Sequence, residues 1–244
     1  VGTMENKLAI AWCDNGMVDG KFMQGVTDVM LHSGVDVVTT LRSQGNQIAR
    51  QREKVINHWY DGNKSDWLLW VDSDVVISVD TFKLLWENKD VEKRPIVTGV
   101  YFTTDTPEET LMIPAPTIFA FVEEGETVGI KRVHPLPKDE LIQIGAAGMG
   151  YVLMHRSVVD RIRAVAPEAP LFSDIGHGKN FMGEDIYFFA LCGKAEIPVF
   201  AHTAAVVPHM KRFSFDINYY NAFMGAQEPP KKPKSKLITP DYMK

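Results

Sequence analysis

The chain has 244 residues, enough for one large domain or two small ones with a sizeable core. Its 45% hydrophobic and 23% charged residues are ordinary for a globular protein, and a net charge of −5 argues against a surface that is basic all over. The two cysteines, Cys13 and Cys192, cannot make a disulfide framework and fit a reducing, cytoplasmic setting.

In chain order, "KLAIAWC" (Lys7 to Cys13) reads as a buried first strand. Lys21 to Ser33 has helical spacing, with Phe22, Val26, Val29 and Met30 on one side. "VDVVTTL" (Val35 to Leu41) is a second strand, followed by a helix from about Asn46 to Tyr60. "SDWLLWVD" (Ser65 to Asp72) is a third strand, Val79 to Asn88 a helix, and "RPIVTGVYF" (Arg94 to Phe102) a fourth strand. Strands alternating with helices imply a mostly parallel sheet covered on both faces. The second half is mixed. Short strands are expected at Pro116 to Val122, Lys131 to Val133, Leu141 to Ile144 and Gly150 to His155, with helices at Ser157 to Ala164 and Asp185 to Gly193. "IPVFAHT" and "AAVVPHM" close the body as two short strands.

The residues ahead of Met4 are set aside, which gives one domain over residues 4–215 and a Pro- and Lys-rich tail over 216–244. No stretch is long and apolar enough to span a bilayer, and the N-terminus lacks a secretion-signal pattern.

"WLLWVDSDVV" carries the first chemical signal: a strongly apolar strand ends in Asp72 and Asp74. In a parallel α/β sheet ligands bind at the carboxyl ends of strands. Two carboxylates there suit a hard divalent cation, Mg²⁺ or Mn²⁺, that bridges the phosphates of a nucleotide diphosphate. Asp72 could instead hold a ribose hydroxyl beside such an ion. The simpler alternative is a turn capped by Asp and Ser. At the end of the first strand, Trp12 could stack on a nucleobase and Asp14 accept from a base N–H; Trp12 could equally be core.

"DWLLWVDSDVVISVDTFKLLWENKDVEKRPIVTGVYF" and the later "GED" (Gly183 to Asp185) resemble the core of GT-A-fold glycosyltransferases. The likeness is to small bacterial and phage members related to glycosyltransferase family 2, and it runs from the first strand to "VVPHMK". It implies a nucleotide-sugar donor, with UDP-sugar favoured over GDP-sugar, a divalent metal, and hexosyl transfer to an acceptor hydroxyl. It also implies a cytoplasmic enzyme, in the host cytoplasm if phage-encoded.

The resemblance assigns further residues. Arg50 and Arg52 match an Arg-x-Arg that binds donor, with Glu53 standing where related sequences often have Asn. Helical phase puts Arg52 with Ala49, Ile56 and Trp59 on the apolar face, and Arg50 with Lys54 and Asn57 on the polar one. A core-facing Arg52 needs a partner, either Asp72, a donor phosphate or a structural carboxylate. His209 in "PHMKR" matches the histidine that completes the metal shell with Asp72 and Asp74; His202 is its competitor. Lys211 and Arg212 would neutralise the diphosphate. Asp185 matches the general base, with Glu184 orienting it or the acceptor, unless both acids simply favour a helix N-terminus. "GAAGMGYVLMH" allows close backbone approach, to a ligand or to a neighbouring strand.

The acceptor stays open among DNA, protein and glycan, with Ser173 to Gly183 facing it, including His177, Lys179 and Asn180. The Lys-rich tail could touch a polyanion or be a solvated linker. A sugar-nucleotide nucleotidyltransferase would carry a basic Gly-rich loop after the first strand, where "CDNGMVDGK" has a single lysine. A non-catalytic carbohydrate- or nucleotide-binding module is the other rival.

Overall fold

The computed structural model describes residues 6–62, 64–104, 114–124, 127–176, 182–211 and 217. The elements are β1 (Lys7–Asp14), α1 (Gly20–His32), β2 (Asp36–Gln44), α2 (Ile48–Gly62), β3 (Trp67–Val71), α3 (Val79–Asn88), β4 (Ile96–Val100), β5 (Phe102–Thr104) and β6 (Pro114–Pro116). After them come β7 (Ile118–Glu124), β8 (Thr127–Arg132), β9 (Leu141–Ile144), β10 (Ala146–Ala147), β11 (Tyr151–His155), α4 (Ser157–Val165), α5 (Glu184–Lys194) and β12 (Val199–Val206).

A 7-stranded sheet in the order β2-β1-β3-β11-β4-β12-β9 forms the body. Strands β2, β1, β3, β4 and β12 run one way; β11 and β9 run against them. Helices cover both faces. Val55, Ile56 and Trp59 of α2 pack with Val158, Ile162, Phe188 and Phe189 of α4 and α5 on one side. Phe22, Val26 and Val29 of α1 pack with Phe82 and Leu85 of α3 on the other.

Strand β3 shows why the sequence reads so apolar. Leu68 and Trp70 enter the first core, Trp67, Leu69 and Val71 the second, and all are buried. A strand covered on both faces needs no polar alternation. Helix α3 then starts where Ser78 Oγ accepts from Thr81 N (3.2 Å) and Thr81 Oγ1 from Ser78 N (3.1 Å), a capping box that satisfies two free donors.

Three expectations change, the first being the strand expected over Pro116 to Val122, which divides at Thr117 between β6 and β7 of different sheets. The fourth strand is interrupted at Tyr101 into β4 and β5. The closing pair "IPVFAHT" and "AAVVPHM" is a single strand, β12, because a register irregularity between Ala201 and Val206 carries the chain along β4 without a turn.

The chain divides into two compact units. One holds Val1–Thr103 and Ala115–Lys211, including the large sheet and its helices. The other takes Thr104–Pro114 and Arg212–Lys244, nearly all outside the described residues. Among the described residues, no helix is long and apolar enough to cross a membrane.

Candidate functional site

The chain leaves β3 at Asp72, whose N–H donates to the Gly150 carbonyl (3.0 Å). Val75 N then donates to the Asp72 carbonyl (2.9 Å), which makes a tight turn. This turn is tied to the segment after β12: Val76 N donates to Pro208 O (2.9 Å) and Met210 N to Asp74 O (2.7 Å). The pairing sets Val75 opposite His209 and brings the His209 side chain to Asp74, with Nε2 3.2 Å from Oδ2. Lys211 Nζ donates to the same oxygen at 3.0 Å.

His209 Nδ1 lies 2.8 Å from the Phe102 carbonyl, and the ring stands edge-on to Tyr101 at 5.0 Å. A carbonyl only accepts, so Nδ1 carries the proton. Nε2 therefore faces the carboxylate either as N–H of an imidazolium or as a lone pair. Two facing acceptors need a cation between them, whether proton or metal. Burial alone would raise the Asp74 pKa, but the hydrogen bonds from His209 and Lys211 outweigh it and hold the carboxyl at about 2.

Arg52 comes from the core face of α2 and is 4% exposed. Its guanidinium lies over the Trp70 ring, 5.6 Å from the centroid. It donates from Nη2 to Asp72 Oδ1 (2.8 Å) and from Nε to Glu184 Oε1 (3.2 Å). Burial opposes its charge, yet the carboxylates of Asp72 and Glu184 more than restore it and keep the guanidinium ionised.

Glu184 and Asp185 sit in the first turn of α5, behind Gly183 as N-cap, where the helix dipole favours negative charge. Their roles then diverge. Glu184 turns to Arg52, while Asp185 Oδ1 accepts its neighbour's N–H, from Ile186 at 2.7 Å. Burial, then the charge of Glu184, pushes the Asp185 carboxyl up to about 6, against the pull of Ile186 N–H and Arg52.

The glycines before β11 make room for protein. A Cβ on Gly150 would lie 2.8 Å from both Asp72 Oδ2 and Tyr101 Cζ, and one on Gly148 would lie 2.1 Å from the Tyr101 hydroxyl. That hydroxyl accepts from Gly150 N at 3.2 Å. The Gly-rich run thus seats Tyr101 and Asp72 against β11.

At the ends of β1 and β2, Asp14 is clamped by Arg42, whose Nε donates to Oδ2 (2.6 Å) and Nη2 to Oδ1 (2.7 Å). Gly16 N donates to Oδ1 at 2.7 Å. These bonds, the Arg42 ones foremost, hold Asp14 below the usual carboxylate range. Sequence reasoning missed Arg42; the available signal was a cation near the end of β2, which lies parallel beside β1. Trp12 is 8% exposed and edge-on to Phe22 at 5.6 Å, within the core under α1.

The structure therefore gathers Arg52 with Asp72, Glu184 and Asp185, and Asp74 with His209 and Lys211. It separates the two arginines of α2: Arg50 is exposed and lines another cleft. His202 lies mid-strand in β12 opposite Leu141, where burial lowers its pKa against the pull of Asp139. Among the described residues no three His, Cys, Asp or Glu side chains gather as a ready metal cage. Arg212, His177, Lys179 and Asn180 lie outside the described residues.

The backbone is similar to that of A197 from STIV, with a TM-score of 0.56 and 20% identity over 84% of this chain and 86% of that one. It is also similar to GalNAc-T7, solved with UDP, GalNAc and Mn²⁺, with a TM-score of 0.53 and 10% identity. That match covers 85% of this chain and 44% of GalNAc-T7. The chain has the GT-A fold. At these identities the likeness is one of backbone. No protein-family model and no curated protein matches the sequence. On the GT-A frame, the clustered acids lie at the end of β3 and at the start of α5.

Proposed function

We propose that this GT-A chain is a glycosyltransferase of the hexosyl class that moves a sugar from a nucleoside diphosphate sugar, a UDP-sugar, to an acceptor hydroxyl with inversion. The observation that carries this reading is Asp185: a carboxyl poised at about 6 beside an Arg52-bridged pair of acids, one at the carboxyl end of β3 and one at the start of α5. A general base works best with a pKa near the working pH. Asp185 takes the acceptor O–H proton as that oxygen bonds to the anomeric carbon. The bond from that carbon to phosphate oxygen breaks, and the nucleoside diphosphate leaves with the electron pair.

Arg52 already serves two carboxylates, so its role is to position Asp72 and Glu184. Lys211, with a side chain 56% exposed, is free to turn from Asp74 to the diphosphate. Asp74 and His209 fit a Mn²⁺ or Mg²⁺ ion, because the fixed tautomer aims Nε2 at the carboxylate. Few protein ligands suffice where substrate phosphates complete the shell. When bound, the cation neutralises charge on the departing diphosphate. Asp14 and Arg42 lie at the strand ends where a nucleobase would rest.

The test is a thermal-shift titration with UDP, GDP and TDP, each with Mn²⁺ or EDTA. Stabilisation by UDP that requires Mn²⁺ supports the reading. No stabilisation by any nucleotide overturns it and leaves the binding-module alternative.

A further inference from the structure

Helix α2 reaches α5 twice, from two adjacent residues. Arg52 makes the direct link, donating from Nε to Glu184 Oε1 (3.2 Å). Glu53 makes an indirect one, through the chain between α4 and α5. Its Oε2 accepts from the backbone N–H of Leu171 (2.8 Å) and of Phe172 (2.9 Å). Its Oε1 accepts from Asn57 Nδ2 (2.9 Å), and Asn57 Oδ1 accepts from Arg163 Nη2 of α4 (2.9 Å). Leu171 and Phe172 are buried in irregular chain, where no helix or strand ladder takes up their N–H groups. A carboxylate is a strong acceptor for two such donors.

The pinned segment carries an aromatic wedge. Phe172 stands edge-on to Trp70 of β3, with centroids 5.9 Å apart, and lies flat on Phe188 of α5, with centroids 5.0 Å apart and planes 10° from parallel. Trp70 and Phe188 are both fully buried. The other neighbour of Trp70 is the Arg52 guanidinium, 5.6 Å from the ring centroid. Phe188 lies four residues beyond Glu184, so the two share a face of α5. One ring therefore touches both the tryptophan that seats Arg52 and the helix that carries Glu184 and Asp185.

We infer that Glu53 is a positioning residue for the acid cluster: by pinning Phe172 against Trp70 and Phe188, it fixes the reach of Arg52 to Glu184 and the place of Asp185 at the start of α5. Without the carboxylate, two buried N–H groups lose their acceptor, and the segment must shift towards water to satisfy them. Phe172 then withdraws, and water enters beside the first turn of α5. The role of Asp185 as a base rests on the transferase reading, but its placement is measurable without turnover.

The test compares Glu53→Ala, Glu53→Gln and Phe172→Leu in the full chain. Glu53→Gln keeps an oxygen for the two N–H groups, and Phe172→Leu keeps the pin but removes the ring. Carbon-13 NMR titration follows the Asp185 carboxyl, assigned by its loss in Asp185→Asn. That carboxyl is faced by Glu184, Arg52 and Asp72, and burial is the largest cause of its rise to about 6. In Glu53→Ala and Phe172→Leu its midpoint should fall from about 6 towards the ordinary 3.8, and in Glu53→Gln it should stay near the wild type. The Arg52 Nε–H should exchange with solvent at least about tenfold faster in the first two variants, as its bridge to Glu184 opens more often. Turnover of a UDP-sugar is scored separately, with kcat expected to fall about 10- to 100-fold in those two variants and the donor KM held. If the wild type turns over no donor but titration and exchange move as stated, the transferase reading fails and the positioning role stands. Wild-type titration and exchange in Phe172→Leu, or in a folded Glu53→Ala, overturn the inference. So does a Glu53→Gln variant no closer to the wild type than Glu53→Ala.

Discussion

His209 presents Nε2 to Asp74 Oδ2 at 3.2 Å while its Nδ1 is held 2.8 Å from the Phe102 carbonyl. The second contact fixes what the first can be. With Nδ1 committed as donor, Nε2 faces the carboxylate with a cation between them, either a proton or a metal ion.

Asp74→Asn should therefore weaken Mn²⁺ binding in the presence of UDP by at least about tenfold, read by the loss of bound ion in electron paramagnetic resonance. Unchanged affinity would remove Asp74 from the metal assignment. The metal-free protein should also change at acid pH. The Asp74 carboxyl drops from an ordinary 3.8 to about 2 on folding. Its stabilisation is then present above about pH 4 and lost as pH falls towards 2. The Asp74→Asn melting curve should be flatter across that window than the wild type.

Arg52→Met should cost about 3–5 kcal/mol of stability, because it strands Asp72 and Glu184 near each other with no buried counter-charge. Pairing it with Glu184→Gln should recover part of the loss by relieving one stranded charge, a coupling that a double-mutant cycle measures. Strictly additive effects would argue against the bridge.

Asp185→Asn should lower turnover about 10²- to 10⁴-fold with donor binding retained. In the wild type kcat/KM should rise with pH around 6, as the base loses its proton. Stability should move the other way. The folded carboxyl titrates at about 6 against an ordinary 3.8, so its contribution is full below about pH 4 and lost as pH rises through 6. Asp185→Asn should hence be more stable than wild type at pH 8, by about 1–3 kcal/mol, and show little difference at pH 4. Chemical denaturation at the two pH values checks the sign.

Gly150→Ala should destabilise by about 1–3 kcal/mol, since its Cβ would press on Tyr101 and Asp72. Tyr101→Phe removes the acceptor for Gly150 N–H and should cost about 1–2 kcal/mol in the same urea titrations. If both variants match the wild type, the packing of β11 against Asp72 is not what fixes that carboxylate.

The sequence by itself determined the α/β class, most of the elements and the end of β3 as the place for chemistry. Those features are local. Five buried residues followed by Asp-x-Asp, the capping Ser78, and the face of α2 that carries Arg52 all follow from periodicity and residue type. Periodicity also showed that Arg52 needed a partner. Only the tertiary structure decided that the partners are Asp72 and Glu184, the latter 132 positions away. It also decided that Asp14 belongs to Arg42 and that Arg50 belongs to a different cleft from Arg52. Strand β11 enters the sheet between β3 and β4, and nothing local to "GMGYVLMH" announces that place. The physical reason is range: helical and strand phase act over a few residues, whereas a buried charge is matched by whichever opposite charge the sheet order brings within about 3 Å.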